Sequence, residues 1–166
     1  MQSETIDGLR AQLLDAALAH IPFDGWTVDA LERAASDLGL DELAVIRAFP
    51  GGSAELIRYH SRRMDDAMMD ALADRNLDDL RVRERVVTGV RVRLELLAEQ
   101  REAMRRALSF LAMPQNALLA MRCVYHTVDA IWHLAGDTAT DWNFYSKRGL
   151  LAAVYTATVL YWLEDE

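Results

Sequence analysis

Apolar residues recur at helical spacing along most of this chain, which predicts amphipathic helices rather than strands. The first helix is expected to begin near Ser3 and to end before Pro22. Two shorter helices follow Thr27 and Asp41, whose side chains can each cap the N terminus of a helix. The turn between them falls at Gly39, so the pair predicts a helix-turn-helix. The apolar positions at helical spacing in the first helix are Ile6, Leu9, Leu13 and Ala17. In the second helix Ala30, Leu31, Ala34 and Leu38 are expected to face inward.

Longer helices are predicted for the rest of the chain. One runs from Ser53 to about Ala73. Residues 81–83 and 90–94 alternate apolar and Arg residues like strands, yet the region as a whole keeps a continuous helical stripe without a turn dipeptide, so a helix is predicted. Helices over residues 101–113 and 117–135 follow, which makes the chain all-α. The stripe consists of Val86, Val90, Leu94 and Leu97.

The final segment opens with the polar and aromatic residues 141–148 and then becomes apolar. From Gly149 to Leu163 it carries no charge. That run is shorter than the ~20 residues of a membrane-spanning helix, so a helix buried by other helices or by a second subunit is expected. Three small residues recur four apart and would let a neighbouring helix approach closely. These residues, Gly149, Ala153 and Ala157, form the predicted interface of a two-fold homodimer.

The length and the net charge of the chain limit the classes of protein to which it can belong. A chain of 166 residues is expected to form one domain with a proper core, and its formal net charge is −8. Residues 1–57, which contain the helix-turn-helix, carry ten acidic residues against three basic ones, a net charge of −7. Phosphate binding needs the opposite sign, so a nucleic-acid partner is not expected. Cys123 is the single cysteine and no export signal is recognisable, which fits a reducing cytoplasm.

Three motifs in the C-terminal part of the chain resemble one known family. They are Ala130–Asp137, Asp141–Arg148 and Val154–Thr158, while Pro22–Thr27 and Phe49–Gly52 resemble the family's N-terminal landmarks in the same order. The family is coenzyme Q biosynthesis protein nine, a lipid-binding accessory protein of ubiquinone biosynthesis. The resemblance implies a TetR-like fold in one compact unit. A degenerate helix-turn-helix head would cover residues 1–52, and a helical lipid-binding and dimerisation body would cover residues 53–166.

The resemblance also implies a function. A non-enzymatic protein would bind an isoprenoid quinone precursor or another lipid, such as a phospholipid, and present it to a demethoxyubiquinone-type di-iron hydroxylase. No cofactor is expected. Methionine side chains are flexible enough to line a pocket for a long chain, although they as readily fill a core. The predicted lipid-binding residues are Met64, Met68, Met104, Leu108, Met113, Ala120, Met121 and Val124.

A polar line and an aromatic cluster are candidates for a partner surface. One face of the helix over residues 117–135 carries Arg122, His126, Asp129 and His133. This face is either a binding strip or an ordinary solvated face with an Asp129–His133 pair. Aromatic residues then crowd the turn after Asp141, the expected cap of the last helix, so at least one should point outward. The predicted partner-binding residues are Asp129, His133, Trp142, Phe144, Tyr145 and Arg148.

Other functions are less well supported by the sequence. The rival is a TetR-type, ligand-responsive transcriptional repressor, which the acidic recognition helix disfavours. Metal binding is not expected, because Cys123 and His126 form one spaced pair without a second. Family members continue into an amphipathic C-terminal helix that contacts membranes, whereas this sequence stops at Glu166, so membrane contact is expected to be weakened. The expected location is the cytoplasm, with peripheral association at the inner face of the plasma membrane left open.

Overall fold

The computed structural model describes residues 2–136 and 142–165, apart from the side chains of residues 2–5 and 142. Within these ranges the chain forms helices and short connections without a strand, so the prediction of an all-α fold is confirmed. The helices are α1 (Gln2–Ala17), α2 (Ile21–Asp24), α3 (Val28–Asp37), α4 (Glu42–Ala48), α5 (Gly52–Ala73), α6 (Val82–Leu97), α7 (Arg101–Leu111), α8 (Ala117–Leu134) and α9 (Trp142–Glu164), with 3-10 turns at Ala98–Gln100 and Pro114–Asn116.

Local sequence signals set the ends of the short N-terminal helices. The Thr27 hydroxyl accepts a hydrogen bond from the Ala30 N–H at 3.2 Å, and the Asp41 carboxylate accepts one from the Ala44 N–H at 2.9 Å. Both predicted caps are therefore confirmed. The predicted turn at Gly39 has a φ of +67°, a left-handed conformation that favours glycine.

One position predicted to face inward is wrong. Leu38 is 42% exposed, whereas Ala30, Leu31 and Ala34 are buried. Ile6, which continues the apolar spacing of the first helix, is 47% exposed. Leu38 is the C-cap residue that follows α3, so it lies where the helical spacing of the sequence pattern no longer applies. Ile6 lines a groove between α1 and α4 instead of the core.

The first of two compact units comprises Met1–His60 and Gln100–Leu119. Its centre is formed by α1, α3 and α4, and α7 packs on α2. The indole N–H of Trp26 donates to the Ala103 carbonyl at 2.8 Å, which satisfies the one polar group of a buried ring. Its core consists of Leu13, Leu14, Ala17, Ile21, Trp26, Ala30, Leu31, Ala34, Ala35, Val45, Ala48, Phe49, Leu56, Ile57, Ala103 and Ala107.

The second unit comprises Ser61–Glu99 and Ala120–Glu166. It contains the C-terminal part of α5, then α6, most of α8, and α9. A Cβ added at Gly89 would lie 3.4 Å from side-chain atoms of Ile131 and Leu134, so this glycine lets α6 and α8 approach closely. The buried apolar residues of this unit include Met68, Leu72, Val92, Leu97, Val128, Ile131, Leu151, Val159 and Leu163.

These two units differ from a simple division after residue 52. Residues 53–60 and 100–119 belong to the same unit as the first 52 residues. The head over residues 1–52 and the body over residues 53–166 remain predictions from the family resemblance. Within residues 2–136 and 142–165, no single helix is both long enough and apolar enough to cross a membrane, and Val82–Leu111 with Pro114–Leu134 reaches that length and apolarity only as a bent pair.

Candidate functional site

A cluster of buried polar side chains lies inside the second unit. Asp65 on α5 is 1% exposed and Arg93 on α6 is 4% exposed. Arg93 Nη2 lies 3.2 Å from Asp65 Oδ1, and the Thr127 hydroxyl on α8 donates to the same oxygen at 2.8 Å. Buried charges require such partners, because an isolated charge in the interior is strongly disfavoured. The cluster therefore connects three helices at fixed positions along their lengths.

Tyr155 brings α9 to this cluster. Burial raises the pKa of its phenol above the ordinary value of 10.0. The Arg93 guanidinium opposes this shift, and the Asp65 carboxylate adds to it. The phenol is consequently neutral at physiological pH and can stay in the interior beside the ion pair. Its position fixes which face of α9 points away from the unit.

That outward face of α9 is largely apolar. Residues at helical spacing, including Leu151 and Val159, are buried, whereas others on the same helix are more than half exposed. Leu150 is 70% exposed and Tyr161 is 71% exposed. Among residues 2–136 and 142–165, one face of α9 is therefore covered and the opposite face is exposed. Its exposed face adjoins two grooves, one beside α8 and one beside α6.

The α8–α9 groove has a volume of about 730 Å³. It brings together residues that the sequence assigned to three different roles. The predicted dimer residues Gly149, Ala153 and Ala157 line it, as do three predicted lipid-binding residues and two predicted partner-binding residues. All three small residues are exposed. Its other lining residues are Ala120, Met121, Val124, Tyr125, Tyr145, Arg148, Ala152, Thr156 and Leu160.

The α6–α9 groove has a volume of about 520 Å³ and is lined mainly by branched aliphatic side chains. None of these residues was predicted to bind a ligand. The helical stripe on α6 contained the signal, since Val86, Val90 and Leu94 lie in this groove while Leu97 is buried. The remaining lining residues are Val87, Arg91, Glu95, Ala98, Leu151, Val154, Thr158 and Trp162.

An aromatic and charged group lies at the N-terminal end of α9. Arg148 Nε donates to Asp129 Oδ1 on α8 at 2.8 Å, and the guanidinium carbon of Arg148 lies 3.4 Å from the centroid of the Phe144 ring. Arg148 is 5% exposed, whereas the Asp129 side chain is 49% exposed and Tyr145 is 66% exposed. The buried guanidinium therefore holds Asp129 and Phe144 in place, and Tyr145 projects into solvent beside them.

Comparison of the sequence with known proteins identifies its family. The family model COQ9 matches residues 117–166, which contain α8 and α9. The chain is 34% identical to the human protein "Ubiquinone biosynthesis protein COQ9, mitochondrial", over 98% of this chain and 53% of that protein. Identity is 32% to the rat protein of the same name, with 98% and 54% coverage, and 32% to that of Drosophila melanogaster, with 97% and 50% coverage. The chain belongs to the COQ9 family. It spans about half the length of the curated relatives it matches.

The lipid-binding residues predicted from the COQ9 family resemblance are distributed over both units. Ala120, Met121 and Val124 line the α8–α9 groove. In the same unit, Met68 is fully buried at 0% exposure and Met64 is half-buried. The other three predicted lipid-binding residues belong to the first unit, where Met113 is 37% exposed and the other two are half-buried; these three are Met104, Leu108 and Met113.

The predicted partner-binding residues of this COQ9 family member are also placed by the structure in different ways. Phe144, Tyr145, Arg148 and Asp129 form the group described above, and the exposed His133 lies one turn after Asp129 on α8. Asp129 pairs with Arg148, which the sequence pattern did not indicate, because the two residues are 19 apart. Asp141 as a cap and the side chain of Trp142 lie outside the described residues.

The polar side chains along one face of α8 in this COQ9 family member do not form one continuous binding strip. His126 Nδ1 lies 2.8 Å from Asp65 Oδ2, so His126 belongs to the edge of the buried cluster, while Asp129 turns to Arg148. Among residues 2–136 and 142–165, no group of three or more His, Cys, Asp or Glu side chains is arranged to hold a metal ion.

Proposed function

We propose that this protein acts in ubiquinone biosynthesis as a lipid-binding accessory protein without a catalytic role of its own. It binds an isoprenoid quinone precursor or another lipid and presents it to a di-iron hydroxylase. The observation that carries the proposal is the pair of apolar grooves on either side of α9. Membership of the COQ9 family, whose curated members are named ubiquinone biosynthesis proteins, supports the pathway.

The α6–α9 groove is the better candidate for the lipid chain. Its volume of about 520 Å³ falls within the usual ~300–1,000 Å³ of small-molecule sites. Its walls are formed largely by Val, Leu and Trp side chains, and two of the valines, Val87 and Val154, are 55% and 52% exposed. Covering exposed apolar side chains provides about 25 cal/mol per Å², which suits an isoprenoid tail. Arg91 and Glu95 also line the groove and can meet a polar head group.

The α8–α9 groove is the better candidate for protein contacts. Gly149, Ala153 and Ala157 lie four residues apart along it and are exposed, so the helix of a second copy can approach α9 closely. At one end the groove reaches Tyr145 and Arg148. An exposed aromatic residue supported by a buried arginine is typical of an interface anchor. We therefore assign the small residues to a homodimer and the aromatic end to the hydroxylase.

Lipid extraction from matched variants tests the proposal. Val154→Trp places an indole in the α6–α9 groove, whereas Leu150→Trp makes a comparable change on the same helix at an exposed site outside the lining residues of both grooves. Protein purified after incubation with an isoprenoid quinone is extracted with organic solvent, and lipid per chain is measured by mass spectrometry. We expect Val154→Trp to lose most of the lipid and Leu150→Trp to retain it.

Two results would contradict this assignment. Wild-type protein that retains no lipid under these conditions argues against a lipid-binding role altogether. Equal retention by Val154→Trp and wild type places the lipid elsewhere. The companion variant Ala120→Trp then shows whether the α8–α9 groove holds it, because Ala120 lines only that one of the two grooves.

A further inference from the structure

The helix-turn-helix exposes apolar side chains at the position where DNA-binding proteins read bases. In α4, Ala44, Val45 and Ala48 are buried against the first unit, so the orientation of the helix is fixed. Leu43 and Ile46 point outward and are 61% and 62% exposed. The outward positions of a recognition helix normally carry polar and basic groups that contact bases and phosphates. An apolar pair at this position indicates a different partner.

A groove is lined by Ala44 and Arg47, the residues that follow Leu43 and Ile46 in α4. It has a volume of about 870 Å³ and is lined from both α1 and α4. Its apolar lining residues include Ile6, Leu9, Leu40 and Ala44. A groove between two helices, with exposed aliphatic side chains beside it, has the shape that receives the apolar face of an amphipathic helix. We name Leu43, Ile46 and this groove the α1–α4 face.

The charge around the α1–α4 face determines which sign of charge its partner should carry. Residues 1–57 carry a net charge of −7. Near α4 the acidic residues are Asp37, Asp41 and Glu42, and Arg47 is the basic residue of that helix. Arg47 also lines the groove, and its side chain is 67% exposed. Its Nη2 lies 3.7 Å from Asp41 Oδ1 and its Nε donates to the Leu43 carbonyl, so its charge faces one carboxylate, and Asp37 and Glu42 keep the surroundings acidic. An acidic field attracts basic segments and repels both phosphate backbones and anionic membranes.

We infer that the α1–α4 face is a docking site for a basic amphipathic helix of a protein partner. Leu43 and Ile46 contact the apolar face of that helix, and the acidic surroundings meet its Lys and Arg side chains. This site is independent of the proposed lipid function, because the α1–α4 face belongs to the first unit and both grooves along α9 belong to the second. A helix-turn-helix with this surface recognises protein instead of DNA.

Fluorescence anisotropy with a defined peptide tests the inference. The probe is a short labelled peptide of leucine and lysine with the leucines at helical spacing, and the control probe has glutamate in place of lysine. We expect saturable binding of one basic peptide per chain and no binding of the acidic one. The double variant Leu43→Ser, Ile46→Ser should weaken binding at least about tenfold, because exposed aliphatic anchors are removed. Glu42→Lys should weaken it about threefold, and added salt should reduce that difference.

Matched variants separate this face from general adhesion. Leu118→Ser with Val82→Ser removes two aliphatic side chains of similar exposure, 58% and 51%, that are not part of the α1–α4 face, and should bind like wild type. Circular dichroism confirms that each variant is folded, and single Leu43→Gln and Ile46→Gln variants replace the double variant if it is not. Absence of saturable binding, equal losses in the two double variants, or preferential binding of duplex DNA or anionic phosphatidylglycerol vesicles would each overturn the inference.

Discussion

Replacing Arg93 with methionine is the sharpest test of how the second unit holds α9 and its grooves. Methionine keeps much of the aliphatic volume but removes the guanidinium that lies 3.2 Å from Asp65. The Asp65 carboxylate is 1% exposed, so water cannot replace the lost partner. Removing one member of a buried ion pair usually costs about 3–5 kcal/mol. Asp65 keeps its contacts with Thr127 and His126, both at 2.8 Å, which places the expected loss near the lower end, about 3 kcal/mol.

The thermal consequence of this loss is measurable. For a chain of this length, 1 kcal/mol shifts Tm by about 2–4 °C, so Arg93→Met should lower Tm by about 6–12 °C. Asp65→Asn should cost a similar amount, because it leaves the guanidinium buried without a counter-charge. The double variant contains neither charge. It should therefore lose at least about 2 kcal/mol less than the sum of the two single variants.

Urea denaturation followed by circular dichroism measures the free energies of unfolding for the whole cycle. Arg106→Met is the matched control, because Arg106 pairs with Glu102 at 3.3 Å while both side chains are nearly half exposed. This exposed pair should contribute less than about 0.5 kcal/mol. A loss below about 1 kcal/mol for Arg93→Met, or strict additivity in the double variant, would show that the Asp65–Arg93 pair does not hold the helices together.

The pKa of Tyr155 is raised, so its contribution to stability should be complete below about pH 10 and should disappear as the pH rises through the folded-state pKa. Tyr155→Phe should therefore reduce the loss of stability at alkaline pH in urea titrations. An unchanged pH profile would contradict this prediction. Ala153→Glu should convert the dimer into a monomer, as measured by size exclusion with light scattering. A wild-type protein that is monomeric at tens of micromolar would refute the dimer. Tyr145→Ala should change the free energy of unfolding by less than about 0.5 kcal/mol and should weaken hydroxylase binding, followed by pull-down, by about 1–3 kcal/mol. If the variant unfolds without a selective loss of binding, Tyr145 is a core residue. Duplex DNA should not bind at physiological salt, and a sequence-specific mobility shift abolished by Arg47→Ala would favour the repressor.

Features that depend on neighbouring residues were determined by the sequence alone. Thr27 and Asp41 cap their helices because a hydroxyl or carboxylate reaches an N–H three residues ahead, whatever the rest of the fold does. The helical stripe through Val86 and Val90 predicted a helix in spite of the strand-like alternation around Arg93, and α6 is a helix. The motifs around α8 and α9 were sufficient to indicate the COQ9 family. These signals are local in the chain, so they survive without knowledge of packing.

Features that join distant segments were decided by the tertiary structure. No pattern in the sequence singled out Asp65 or Arg93, and the packing of α5 against α6 and α8 makes them a buried pair. Periodicity suggested Asp129 and His133 as a pair, but Asp129 accepts a hydrogen bond from Arg148 on α9. The α6–α9 groove likewise requires two helices separated by two others in the chain. Helical spacing defines which residues share a face of one helix, whereas the burial of charges and the closing of a groove depend on which faces meet.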